Sequence, residues 1–123
     1  MSTRRPSAAE IAALLPLPLA HFHILVALAG DELHGYAILQ DVASRTGGTV
    51  RLETGTLYRS IQRLLENGLV VESSERPDPA IDDERRRYYR TTPLGVAVVR
   101  AEAARLAALV DLARAKGLTP EAI

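Results

Sequence analysis

A mainly α fold carrying one small β-hairpin is predicted by three features of the chain. Apolar residues recur at helical spacing in five separate stretches. Two short runs of strand composition flank a Pro- and Asp-rich segment. Glycine or proline marks the ends of the helical stretches. With 123 residues, 47% of them hydrophobic, the chain suits one core rather than two.

The first element is announced by Ser7 and Glu10, three residues apart as in a capping box. Ala8, Ile11, Ala12 and Leu15 follow at helical spacing until Pro16. This is a short arm helix within residues 1–18. "LAHFHILVALAG" then places Leu19, Phe22, Leu25, Val26 and Ala29 on a wide apolar stripe and stops at Gly30. "DELHG" reads as a turn. "YAILQDVASRTGG" reads as a third helix, with Ile38, Leu39 and Val42 inside and Gly47-Gly48 as its end. Val50 and Leu52 alternate with Thr49 and Arg51, which predicts a very short strand or an extended crossing.

"TGTLYRSIQRLLENGLV", starting at Thr54, gives the fourth helix, with Thr54 or Gly55 as its cap and Asn67-Gly68 as its end. "LVVESSE" from Leu69 and "RRRYYRTT" from Arg85 predict a hairpin with "RPDPAIDDE" as its tip. Tyr88 and Tyr89 point to opposite faces of their strand, one into the core and one toward the last helix. Pro93, just after Thr92, opens a long helix reaching Lys116-Gly117. Three helices closed by a hairpin make a winged helix-turn-helix, here residues 19–92. The arm precedes it, and a long C-terminal dimerisation helix, residues 93–123, follows. In that arrangement the helix before the hairpin enters a DNA major groove.

That helix has two sides. At 100° per residue, Leu57, Ile61, Leu64 and Gly68 fall in one band, with Tyr58 and Leu65 at its edge. Arg59, Arg63 and Glu66 lie opposite, with Thr56 beside them. Two arginines at i, i+4 repel, costing an isolated helix about 0.2–0.5 kcal/mol. One reading is a solvated face on which Arg63 leans on Glu66. The other is a DNA-facing surface, with the arginines forked onto guanine or phosphate and Thr54, Thr56 and Ser60 adding short donors near a helix end that favours anions. Its place in the topology favours the second. On the wing, Arg76 to Arg90 carries net charge +1, with acids at the tip and Arg85, Arg86 and Arg87 on the returning strand. That basic run either grips phosphate or pairs with its own acidic tip.

Together, "LHGYAI" (Leu33–Ile38), "TGTLYRSIQRLLENGLV" and "RRRYYRTTPLG" (Arg85–Gly95) closely resemble the PadR family of bacterial transcriptional regulators. The resemblance spans most of Leu19 to Gly95. It implies a homodimeric winged-helix DNA-binding protein, usually a repressor, that dimerises through its C-terminal helix. It places Gly55, Thr56, Leu57 and Tyr58 at the start of the recognition helix. Tyr36 and Tyr58 become candidates either for phosphate contact or for packing. The chain departs from the family in having Arg59 where many relatives have Pro, and in the acidity of its wing tip.

In the last helix Val99, Ala103, Leu106, Val110 and Ala113 advance by alternating fours and threes, a heptad-like seam. Leu94, Val98, Leu109 and Leu112 lie off that line. So much apolar surface calls for a partner helix, with Ile11 and Leu15 of the arm joining the interface. A two-fold dimer would meet half-sites about 34 Å apart on a pseudo-palindromic operator.

Other classes are disfavoured. Fifteen basic residues, fourteen of them Arg, balance fifteen acidic ones, so any nucleic-acid case rests on local clustering. Cysteine is absent, removing thiolate metal sites and thiol nucleophiles. His21 and His23 point about 200° apart on a helix and cannot share a metal unaided. No catalytic spacing, cofactor motif or membrane span is evident, and a cytoplasmic protein is expected. An effector of unknown identity fits the resemblance, though one Phe and no Trp leave little to build an aromatic pocket. The rival function is a winged-helix docking module that does not bind DNA.

Overall fold

The computed structural model describes residues 5–73 and 87–120. Ser7 accepts the Glu10 N–H at 3.0 Å, and the Glu10 carboxylate accepts the Ser7 N–H at 3.3 Å. This reciprocal cap starts α1 (Ala8–Ala12). After Pro16 and Pro18 the chain enters α2 (Leu19–Ala27), whose Ile24, Leu25 and Ala27 are buried. Helix α3 (Gly35–Arg45) buries Ile38 and Val42 and is capped by His34, whose Nδ1 accepts the Ala37 N–H at 3.2 Å. Helix α4 (Thr54–Glu66) buries Leu57, Ile61 and Leu64, the band expected from the 100° spacing. Each fully buried Leu or Ile contributes roughly 1.5–3 kcal/mol, so α2, α3 and α4 hold one another through a single apolar cluster.

One expectation about strands is decided between its alternatives and another is corrected. Val50 and Leu52 form no strand; they run irregularly and pack on the core. Thr46 explains this, because its Oγ1 accepts the Val50 N–H at 3.1 Å and donates to the Val42 carbonyl at 2.8 Å. The backbone at Val50 is therefore satisfied locally. Conversely, part of the expected "DELHG" turn is a strand, β1 (Leu33–His34). It pairs antiparallel with β3 (Tyr88–Thr91), Leu33 opposite Tyr89 and His34 opposite Tyr88. Strand β2 (Val70–Ser73) pairs with the other edge of β3, giving the order β1-β3-β2. Both tyrosines are buried: Tyr89 joins the core, while Tyr88 packs edge-on against His34 at 5.3 Å.

The "TTPLG" stretch is a joint. Thr92 caps α5 (Pro93–Ala115) by accepting the Gly95 N–H at 3.0 Å, and its hydroxyl donates to the Gly68 carbonyl at 2.6 Å. Its own N–H donates to the Leu69 carbonyl at 3.1 Å. Gly95 lies so close to Leu69 that a Cβ there would strike the Leu69 carbonyl oxygen. The first turn of α5 is thereby clamped to the end of α4.

The start of α5 is sunk in the core through Gly95, Val98 and Glu102. Buried Glu102 is held by Arg105 in a two-pronged pair at 2.7 and 2.8 Å. That pairing, with help from the Leu17 backbone and against the effect of burial, keeps the Glu102 carboxyl below its ordinary 4.5. Residues assigned to a dimer seam are partly used within the chain. Ile11, Leu15 and Val99 are half-buried against their own core, because the prolines after α1 turn it back onto the domain. Ala103 is exposed, Leu106 and Ala113 are half-buried, and Val110 is exposed.

Candidate nucleic-acid interface

Helix α4 presents Arg59, Gln62, Arg63 and Glu66 to solvent along one side. The Arg59 guanidinium lies back along the first turn, donating to Thr56 Oγ1 at 3.4 Å and passing over Gly55. Arg63 forms no ion pair among the described residues, so it does not lean on Glu66. Across from it on α2, burial first and the Arg63 charge second hold His21 below its ordinary 6.5, favouring the neutral imidazole.

The start of this helix, like that of α2 after Pro18, carries no side-chain cap. Helices α1, α3 and α5 each receive a side-chain cap from Ser7, His34 and Thr92. The N-cap of α4 is Glu53, not Thr54 or Gly55 as expected, and no side chain bonds the first-turn N–H groups. Thr54 and Gly55 are exposed there, with Thr56 half-buried beside them. A helix end with free N–H groups, exposed hydroxyls and arginines one and two turns on is built to meet anions.

Tyr58 is 49% exposed and lays its phenol over Gly35, where a Cβ would collide with the hydroxyl. Residues of "LHGY" and "GTLY" thus meet: Gly35 makes room for Tyr58 at the start of α3, and Tyr36 stands next to it, 60% exposed. Ser60, in contrast, is only 7% exposed and is withdrawn from the candidate surface. It sits three residues after Leu57 and four before Leu64, which turns it toward the core side.

The base of the wing is internally paired. Arg87 meets Glu72 at 3.3 Å, and Glu32 takes a hydrogen bond from Ser73 at 3.0 Å with Arg90 at 3.9 Å. The Arg87 pairing follows the internal option for the basic run, though with a strand residue rather than the tip. Arg85 and Arg86 lie outside the described residues, as does the acidic tip. Glu32 and Glu102 were missed by sequence reasoning. Glu102 has Arg three residues on, as the Asp111–Arg114 pair does, and nothing in the sequence distinguishes the buried pair from the exposed one. Among the described residues no group of three His, Asp or Glu could hold a metal, and no helix is long and apolar enough to cross a membrane.

Comparison with known proteins decides the family. The model of the transcriptional regulator PadR-like family matches residues 24–101, from the middle of α2 into α5. The chain belongs to the PadR-like family. It is 40% identical over 92 residues to the transcriptional regulator Rv3488 of Mycobacterium tuberculosis, covering 75% of this chain and 77% of that one. Among solved structures it resembles a transcriptional regulator from Clostridium thermocellum, with TM-score 0.66 at 22% identity over 89% of this chain and 95% of that one. It also resembles Bacillus subtilis PadR in complex with operator DNA, with TM-score 0.58 at 18% identity over 68% and 46%. As a PadR-like regulator the chain is a DNA-binding transcriptional regulator rather than an enzyme.

Proposed function

We propose that the chain acts in the bacterial cytoplasm as a homodimeric repressor of a pseudo-palindromic operator, reading it with the outer face of α4. The observation carrying this reading is the uncapped start of α4 with Arg59 and Arg63 exposed beyond it and no carboxylate partner on Arg63. Thr54, Gly55 and Thr56 bring backbone and hydroxyl donors to phosphate, and Tyr36 and Tyr58 flank them. Arg63, the less engaged of the two arginines, reads a base, while Arg59 is released from Thr56 when DNA arrives. Arg85 and Arg86 are proposed phosphate contacts; Arg87 is the weaker candidate because Glu72 already holds it.

Dimerisation is proposed through the outer half of α5, where Leu109 and Leu112 add to Leu106, Val110 and Ala113. The unlike chemistry of this surface and α4 also separates the reading from a docking module: the α4 face is polar and charged, a poor hydrophobic seat.

Fluorescence anisotropy against duplexes from the region upstream of its own gene, with random duplex as reference, tests the reading. Preference for an upstream duplex is expected, and Arg63→Ala is expected to lose about 1–3 kcal/mol on that duplex with little change on random DNA. Equal loss on both would make Arg63 a phosphate contact. No preference for any upstream duplex would remove the operator.

A further inference from the structure

Gly35 is the first residue of α3 and its φ is not in the left-handed region, so neither turn geometry nor the helix itself calls for glycine there. Tyr58 calls for it. A Cβ on Gly35 would collide with the phenol hydroxyl and stand 2.9 Å from Cζ and 3.2 Å from Cε1 of the ring. We propose that Gly35 is a positioning residue for DNA binding: its bare Cα lets the Tyr58 ring lie across the start of α3, and this seat aims the hydroxyl at a phosphate beside α4. The proposal rests on the DNA-binding reading and adds to it a buried residue that touches no DNA itself.

Three observations support it. First, the collision differs in kind from the one at Gly95. There the obstacle is a backbone carbonyl, which cannot step aside. At Gly35 it is the far end of a side chain that is half exposed, so a Cβ would turn the ring away at little cost to the fold. The glycine therefore serves the place of the ring more than the stability of the chain. Second, the seat is rigid. Strand β1 just before Gly35 is paired to β3, and His34 is held on two sides, by the Ala37 N–H at 3.2 Å and by the Tyr88 ring at 5.3 Å. Burial first, then the charges of Glu72 and Tyr58, push the Tyr89 hydroxyl above its ordinary 10.0, so the Tyr58 phenol lies within electrostatic reach of the base of the wing. Third, the Tyr58 hydroxyl makes no hydrogen bond among the described residues. A ring held by contact with its hydroxyl unspent is suited to donate to an oxygen arriving from outside. Tyr58 stands one turn beyond Thr54, where α4 is open to anions.

Binding of the full chain to upstream and random duplexes across a salt series tests this, with Gly35→Ala, Tyr58→Phe and the double variant. Tyr58→Phe is expected to weaken both duplexes about tenfold, the scale of one hydrogen bond to a charged group. Gly35→Ala should lose a similar factor, and the double variant no more than either single one, because both changes remove the same contact. The slope of log K against log salt should stay unchanged in all three, since a neutral phenol displaces no counterion. The melting midpoint of Gly35→Ala should equal or exceed that of the unaltered chain, a result that a merely structural glycine would not give. Undiminished binding by Gly35→Ala, losses that multiply in the double variant, or a lowered melting midpoint each overturn the proposal. If Tyr58→Phe binds as the unaltered chain does, the proposal falls, while preference for the upstream duplex keeps the operator reading standing. If the unaltered chain binds neither duplex, the DNA-binding reading falls with it.

Discussion

Helices α4 and α5 each bury one side and leave another bare, but what they leave bare differs. On α4, Leu57, Ile61 and Leu64 vanish into the core, while the opposite side carries Arg59, Gln62, Arg63 and Glu66. Water satisfies that side, and a polyanion can replace the water. On α5 the division runs along the axis instead. The first turns are clamped by Thr92, Gly95, Val98 and Glu102, whereas the last turns hold Leu109 and Val110 about half exposed and Leu112 at 67%. The Asp111–Arg114 pair at 3.0 Å is the polar part of those turns, and the apolar remainder suits a second apolar surface. A charged bare side thus points to nucleic acid, and an apolar bare end points to protein.

The largest effect is expected where that apolar end is charged. Leu109→Asp with Leu112→Asp should weaken self-association by several kcal/mol, since each buried Leu is worth about 1.5–3 kcal/mol. Sedimentation equilibrium should then show a monomer whose helical content is retained; an unchanged dimer would break the assignment of α5. Next comes the clamp joining the two helices. Gly95→Ala drives a methyl into the Leu69 carbonyl, which is backbone and cannot step aside, so a loss of about 3 kcal/mol is expected in denaturant unfolding. A loss below 0.5 kcal/mol or so would mean that the two helices are not fixed there.

A smaller effect is expected at Glu102, where α5 is tied inward by a charge. Glu102→Gln should cost about 1.5 kcal/mol near neutrality, the scale of a hydrogen bond to a charged group. Because the folded carboxyl titrates below its ordinary 4.5, its contribution is fully present above that pH and is lost as pH falls through the folded value. The difference between the unaltered chain and the variant should therefore hold from neutrality to about pH 4.5 and shrink below it. A difference independent of pH would assign the role of Glu102 to packing.

Much of this contrast is legible in the residues themselves. The apolar band of α4 follows from the 100° spacing alone, and Ser7-Glu10, Thr92-Pro93 and Gly68 mark element ends where the structure has them. What escaped is set partly by partners distant in sequence and partly by local geometry. Leu33–His34 becomes a strand only because β3 arrives beside it, more than fifty residues later. Val50 fails to become one because Thr46 satisfies its N–H first. Ser60 looked like a donor because a hydroxyl near a helix start usually is one, yet its angular place is at the edge of the core band, about 40° from Leu64, and it is buried. Glu102 was invisible because its burial depends on α1 and Leu17 folding back over α5.

Footprinting of the upstream region tests the central claim most directly, since it reads together the helix proposed to meet DNA and the helix proposed to pair two copies. Two protected patches whose centres lie about one turn, roughly 34 Å, apart and whose sequences are related by two-fold symmetry are the expected result. A single patch of half that extent, or uniform protection without a preferred site, would contradict the account.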